Sequence, residues 1–258
     1  MDDLDDREAF LRGIFADPDS DLPRLVFADW LDERGEAAWA ELIRLQCELH
    51  ASPSGATEPR LAARARELVS NLWLTNEDGS LPFEVVRGFV ATDSIPVEAA
   101  DLGDGIAFRK HAIQSHPEWY GCTELKVVRG LIVGGKPIQT ILTSPVTERV
   151  AELDLSGATV AIQREAAPGE DSYGLLDEYE YRPAVTLQAV EALVDAREAR
   201  RLTRLDLRNN DLDNDAARAV VRSTNLIRLK SLHLSDGNQF RGRTWQQLLE
   251  RFGPDVLQ

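Results

Sequence analysis

Between residues 201 and 239 the chain repeats itself, and few features restrict a fold more. Leu202, Leu205 and Leu207 are followed by Asn210 and Leu212, a spacing of L-x-x-L-x-L-x-x-N-x-L. The same phase returns at Leu229, Leu232, Leu234, Asn238 and Phe240, with Leu232 standing 27 residues after Leu205. Leucines that alternate with other residues make a short strand with one buried face, because successive strand side chains point to opposite sides. The Asn after them belongs to a turn, where its side chain bonds free backbone groups. Ala216, Ala219 and Val220 sit at helical spacing in between. Each unit therefore reads as strand, turn and helix, cannot bury its apolar side alone, and has to stack on another unit.

Counting backwards finds more of the pattern. Leu125 precedes Leu153 by 28 residues, again one period, whereas Leu153 precedes Leu205 by 52. That interval is nearly two periods long but holds one helix signal, over 185–200, so the stretch 163–182 reads as an insertion. It carries Tyr173, Tyr179 and Tyr181, three of the four tyrosines, among many carboxylates. A lead-in strand is expected over 85–91, a helix around 97–112, and a closing helix over 244–252 ahead of Gly253-Pro254, suited to cap the last unit. The repeated phase resembles leucine-rich repeats. That resemblance implies an α/β fold class, with a short leucine-rich-repeat solenoid of about four or five units over 84–258.

Upstream, the periodicity changes to helical. Helices are expected over 6–16 (Phe10, Leu11 and Ile14 inward), over 22–34, from Ala38 to Leu49, and over 60–74. In the second, Leu22, Leu25, Val26 and Trp30 line one side, widened by Phe27 and Leu31. Asp29 then lies on or beside that side and needs a cation such as Arg24 or Arg44. Four such helices make a compact bundle with Trp30, Trp39 and Trp73 available to its core. The run from Phe10 to Leu49 resembles the bacterial repeat-companion domain. The likeness rests on Phe10-Leu11, Ala16-Asp17-Pro18, Pro23-Arg24-Leu25-Val26, Ala28-Asp29-Trp30-Leu31, Glu33-Arg34-Gly35 and Glu41-Leu42-Ile43-Arg44-Leu45-Gln46. It departs at Glu36-Ala37-Ala38, where related sequences tend to have Asp-Pro-Arg. Arg87-Gly88-Phe89-Val90 likewise resembles the junction through which such proteins lead into their repeats. The resemblance implies a helical companion domain over 1–75 and carries no known reaction with it.

Charge narrows the partners. The net charge is −15, and residues 1–50 hold 14 acidic against 5 basic side chains. A nucleic-acid backbone is repelled by such a surface, whereas a basic partner protein is attracted. With no long apolar run and an acidic N-terminus, a cytoplasmic protein with no membrane role is expected.

The chemistry-bearing motifs are incomplete. Residues 130–136 fit G-x-x-x-x-G-K, but Pro137 stands where a phosphate loop needs Ser or Thr. His111, His116 and Cys122 lack a second metal half-site. Asp17-Pro18-Asp19-Ser20-Asp21 opens like a calcium loop, yet Leu22 and Ala28 occupy the positions that need Gly and Glu. No catalytic residue, cofactor or metal is expected.

Candidate binding residues are those flanking the core leucines of each strand: Glu124 and Lys126, Glu152 and Asp154, Arg204, Asp206 and Arg208, and His233, with Val128, Ser156, Ser231 and Ser235 beside them. Such positions are polar either to meet a partner or only to stay wet. The tyrosines of 163–182 suit an interface, and a disordered acidic loop is the alternative. The expected function is a non-catalytic protein–protein interaction module acting through the concave repeat face and the insertion. The second reading is a regulatory subunit whose acidic helical companion domain docks to an effector enzyme.

Overall fold

The computed structural model describes residues 3–51, 59–72, 83–129, 135–157, 159–163, 179–183 and 185–258. Trp73, most of the 130–136 motif, Tyr173 and the middle of the 163–182 stretch lie outside them. The described chain is a mixture of helices and parallel sheet, an α/β arrangement in two compact units. One comprises Met1–Asp93 with His111–Gly121, the other Ser94–Lys110 with Cys122–Gln258.

The first unit is built on α1 (Asp3–Ala16), α2 (Leu22–Glu33), α3 (Ala37–Ala51) and α4 (Pro59–Leu72), followed by the short antiparallel strands β1 (Val85–Val86) and β2 (Phe89–Val90). Leu11, Ile14, Phe27, Ala28, Leu31, Leu42 and Ile43 are fully buried. Around them Phe10, Phe15, Phe27, Trp30, Trp39 and Phe89 meet with ring centroids 5.3 to 6.3 Å apart. Tilted, edge-on and stacked contacts of this kind add to what aromatics gain from the area they bury.

Helix α2 is rotated from the expected setting. Its buried stripe is Arg24, Phe27, Ala28, Trp30 and Leu31, while Leu22, Leu25 and Val26 face solvent. Apolar periodicity misread the face because one inward position is an arginine. Arg24 Nη1 donates to Ser20 O at 2.6 Å. Asp29 is an exposed residue held by Arg44 at 2.7 Å.

Where one lead-in strand was expected over 85–91, the chain makes a tight hairpin. Arg87 and Gly88 both have positive φ, 48° and 88°, as a two-residue turn that follows the twist of its strands requires. The hairpin is fastened to α3. Gln46 Nε2 donates to Val85 O at 3.0 Å and Gln46 Oε1 accepts from Gly88 N at 2.6 Å. Trp39 Nε1 donates to Gly88 O at 2.8 Å. Arg87 reaches Pro18 O, Asp19 O and Asp21 Oδ1 at 2.6 to 3.1 Å. The acidic loop that resembles a calcium site thus has two arginines, Arg87 and Arg24, on its oxygens.

The second unit opens with β3 (Ser94–Glu98), on residues partly expected to be helical; α5 (Ala99–Leu102) and α6 (Gly105–Ser115) follow, and α6 contributes residues to both units. Pro96, which lacks an N–H, hides this strand from a pattern reading, and an edge strand tolerates it. Next come β4 (Glu124–Arg129), α7 (Gly135–Thr143) and β5 (Glu152–Asp154). An antiparallel pair, β6 (Thr159–Gln163) and β7 (Tyr179–Pro183), then precedes α8 (Leu187–Asp195), β8 (Arg204–Asp206), α9 (Asn214–Arg222), β9 (Ser231–His233) and α10 (Arg243–Phe252).

The sheet is parallel in the order β3-β4-β5-β8-β9. Ile95, Leu125, Leu153, Leu205 and Leu232 form one continuous row across it, all buried. Among the described residues the long step between Leu153 and Leu205 adds no strand to this sheet, because β6 and β7 pair with each other instead.

Two asparagines tie the later strands together. Asn210 Nδ2 donates to Leu207 O at 3.1 Å and, across to β5's chain, to Leu155 O at 3.0 Å; its Oδ1 accepts from Val185 N at 3.2 Å. Asn238 does the same one period later, to Leu234 O and Leu207 O at 2.8 and 2.9 Å, accepting from Asn210 N and Leu212 N. Helix C-termini are closed by donors from further along the chain. Arg201 donates to Ile141 O, Leu142 O, Thr147 O and Val150 O at 2.7 to 3.1 Å. Asn225 Nδ2 serves Val194 O and Asp195 O, and Arg251 serves Val221 O and Ser223 O. Beyond β9 the backbone of 256–258 continues the pairing, with Leu232 N to Val256 O at 2.8 Å and Gln258 N to Leu232 O at 2.9 Å.

Candidate functional site

The row of buried leucines fixes what lies on the other face of the sheet. Strand side chains alternate, so the residues on either side of each leucine form two parallel rows. The first runs Glu124, Glu152, Arg204, Ser231, and the second Lys126, Asp154, Asp206, His233. Eight of the eleven expected binding residues are therefore neighbours or near neighbours on this sheet once Arg208 is added. Tyr179 and Tyr181 lie in β7, opposite Gln163 and Ala161.

The charges on the face are largely matched within it. Glu152 pairs with Arg204 at 3.5 Å, Lys126 with Asp154 at 3.1 Å, and Arg208 with Asp206 at 2.6 Å and Asp236 at 3.7 Å. Ser231 Oγ and His233 Nε2 are 2.7 Å apart. Glu124 has no charge partner among the described residues.

Asp154 and Asp206, expected to point outward to a partner, are buried. Each carboxylate turns back on the chain: Asp154 Oδ1 accepts from Ser156 N at 2.9 Å, and Asp206 Oδ1 from Arg208 N at 3.1 Å. Asp side chains bond their own backbone two residues on in this way and hold a turn. Asp206 is then covered by Arg208, whose Nε and Nη2 donate to both its oxygens. What solvent meets at these rungs is Lys126 and Arg208. The signal was in the sequence as Asp-Leu-Ser and Asp-Leu-Arg at matching phase in two periods.

Burial pushes the Asp154 carboxyl up, but the hydroxyl and N–H of Ser156 and the ammonium of Lys126 outweigh it and hold the group below its ordinary range. Elsewhere burial, followed by the charge of Asp21, raises the Cys47 thiol to about 11, so it stays protonated and is a poor nucleophile at neutral pH.

Lys136 lines an open cleft of about 650 Å³ with Asp104, Arg109, Gln139 and Thr143. The first amides of α6, which a phosphate would use, are taken by Asp104 Oδ1 through Ile106 N and Ala107 N at 3.0 and 3.1 Å. His116 stacks on Trp119, the rings 4.5 Å apart and nearly parallel, and His111 meets both rings edge-on. Among the described residues no three His, Cys, Asp or Glu side chains converge as metal ligands, and no helix is long and apolar enough to cross a membrane.

No family model, no curated protein and no solved structure gives a significant match to this chain.

Proposed function

We propose that the chain is a non-catalytic protein-recognition module. In this reading 84–258 is a short leucine-rich-repeat solenoid and 1–75 its helical companion domain. The observation that carries it is the two-row face of Glu124, Glu152, Arg204, Ser231, Lys126 and His233, laid over an unbroken row of buried leucines. The face is carried on paired strands, so no backbone has to be ordered when a folded protein binds to it. The 27- to 28-residue recurrence and the matched roles of Asn210 and Asn238 support the repeat reading. The 163–182 insertion, led by the β6–β7 pair, is the second part of the proposed surface, with Tyr173, Tyr179 and Tyr181 as its aromatic contacts.

The test is affinity capture of the whole chain from its native lysate beside two variants. One carries Glu124→Lys with Arg204→Glu, which changes the face without touching the buried Asp206; the other lacks 164–178. A partner held by the wild type and lost by the first variant, at unchanged melting temperature, is the expected outcome. A partner retained equally by both variants would remove the sheet face and the insertion from the account.

A further inference from the structure

We infer that the solvent side of α2 is a docking face for an amphipathic basic helix of a partner protein. Leu22, Leu25 and Val26 are 69, 37 and 46 % exposed. They stand at i, i+3 and i+4, so they adjoin on consecutive turns. The opposite side of the same helix buries Phe27, Ala28 and Leu31. A helix that is apolar on both sides belongs between two layers, and α2 has one. Scattered exposed aliphatics need no explanation, whereas a contiguous set marks an interaction site.

The same face continues into acid. Asp29 and Glu33 have side chains 74 and 77 % exposed. At 100° per residue, Leu22, Leu25, Val26, Asp29 and Glu33 fall within an arc of about 100°. Asp32, at its margin, shares Arg44 with Asp29. Arg34, 4.0 Å from Glu33, is shared with Asp3, so two arginines stand against four carboxylates and this end of the stripe stays negative. The stripe rises about 16 Å, three turns of helix.

Charge chooses the occupant. A second copy of the chain would bring residues 1–50, with 14 acidic and 5 basic side chains, against their own like. A helix with aliphatic anchors at i, i+3 and i+4 and Lys or Arg one to two turns away meets both halves of the stripe, as amphipathic helices do when they lie on apolar surfaces. This inference concerns the helical unit alone and does not depend on the sheet-face reading.

The probe is a labelled 15-residue synthetic helix with Leu at i, i+3, i+4 and i+7 and Lys or Arg beyond them, titrated with the whole chain by fluorescence anisotropy. Its twin has every Lys and Arg replaced by Glu. The basic helix is expected to bind at least tenfold tighter than the twin. A variant with Leu22→Ser, Leu25→Ser and Val26→Ser, identical in charge, is expected to lose at least tenfold while its melting temperature holds. The Glu124→Lys, Arg204→Glu variant is expected to bind as the wild type does. Equal binding by the serine variant would reduce the attraction to diffuse charge and overturn the proposal. So would sedimentation showing the wild type, but not the serine variant, as a dimer, because the occupant would then be a second copy.

Discussion

Arg201 shows how much one side chain can hold. Its guanidinium serves four backbone carbonyls, from Ile141 to Val150. Arg201→Met would take the Arg201 donor from Leu142 O and Val150 O, at roughly 1–3 kcal/mol for each carbonyl that water cannot reach, while Ile141 O keeps Thr147 Oγ1 and Thr147 O keeps Val150 N. We expect a loss of at least about 3 kcal/mol in urea unfolding, with Arg201→Lys recovering less than half, because an ammonium lacks the planar fork. Asp154 offers a second test. Its folded pKa is depressed, so its contribution is complete above the unfolded value of about 3.9 and is lost as pH falls through the folded value. Asp154→Asn keeps an oxygen for Ser156 N but cannot titrate. The variant is therefore expected to be less stable than the wild type at pH 7, with the gap narrowing as pH falls below about 4. A constant gap between pH 7 and pH 3 would show that the charge does not contribute.

At the scale of elements, the hairpin β1–β2 depends on Gly88. Its φ is 88°, and a Cβ there would overlap Ile43. Gly88→Ala therefore meets strain and a clash together, and a loss of about 2 kcal/mol or more is expected by thermal unfolding. Elements also show where pattern reading succeeds and fails. Leu125, Leu153, Leu205 and Leu232 were legible as rungs, since alternation in a buried strand leaves an apolar mark at fixed phase. The face opposite them followed directly. The rotation of α2 was not legible, because Arg24 is buried by bonds to a loop that no helical period encodes. Strand β3 was hidden by Pro96, and the turn at Arg87 by a positive φ on a residue other than glycine. The burial of Asp154 and Asp206 was missed because alternation predicts a direction and takes no account of a side chain that turns back to its own backbone.

For the molecule as a whole, the open ends of the parallel sheet need an account, since an uncovered edge is a template for other chains. At one end β3 presents Pro96. At the other, β9 is paired by the backbone of 256–258. Removing Val256, Leu257 and Gln258 is expected to uncover β9 and cause concentration-dependent aggregation by light scattering, with little change for substitutions of their side chains to Ala. Leu257 is the exception, being buried.

The sheet face also divides labour between neighbours in sequence. Asp154 and Asp206 are buried and bond their own chain, while Glu124, Glu152, Arg204 and Ser231 are half-buried and, among the described residues, make no bond to the backbone turns. Lettering can thus change on the outward row while the frame that carries it stands. A surface arranged in this way can be given a new partner by a few exchanges along one row, and drift or design would find its freedom there first.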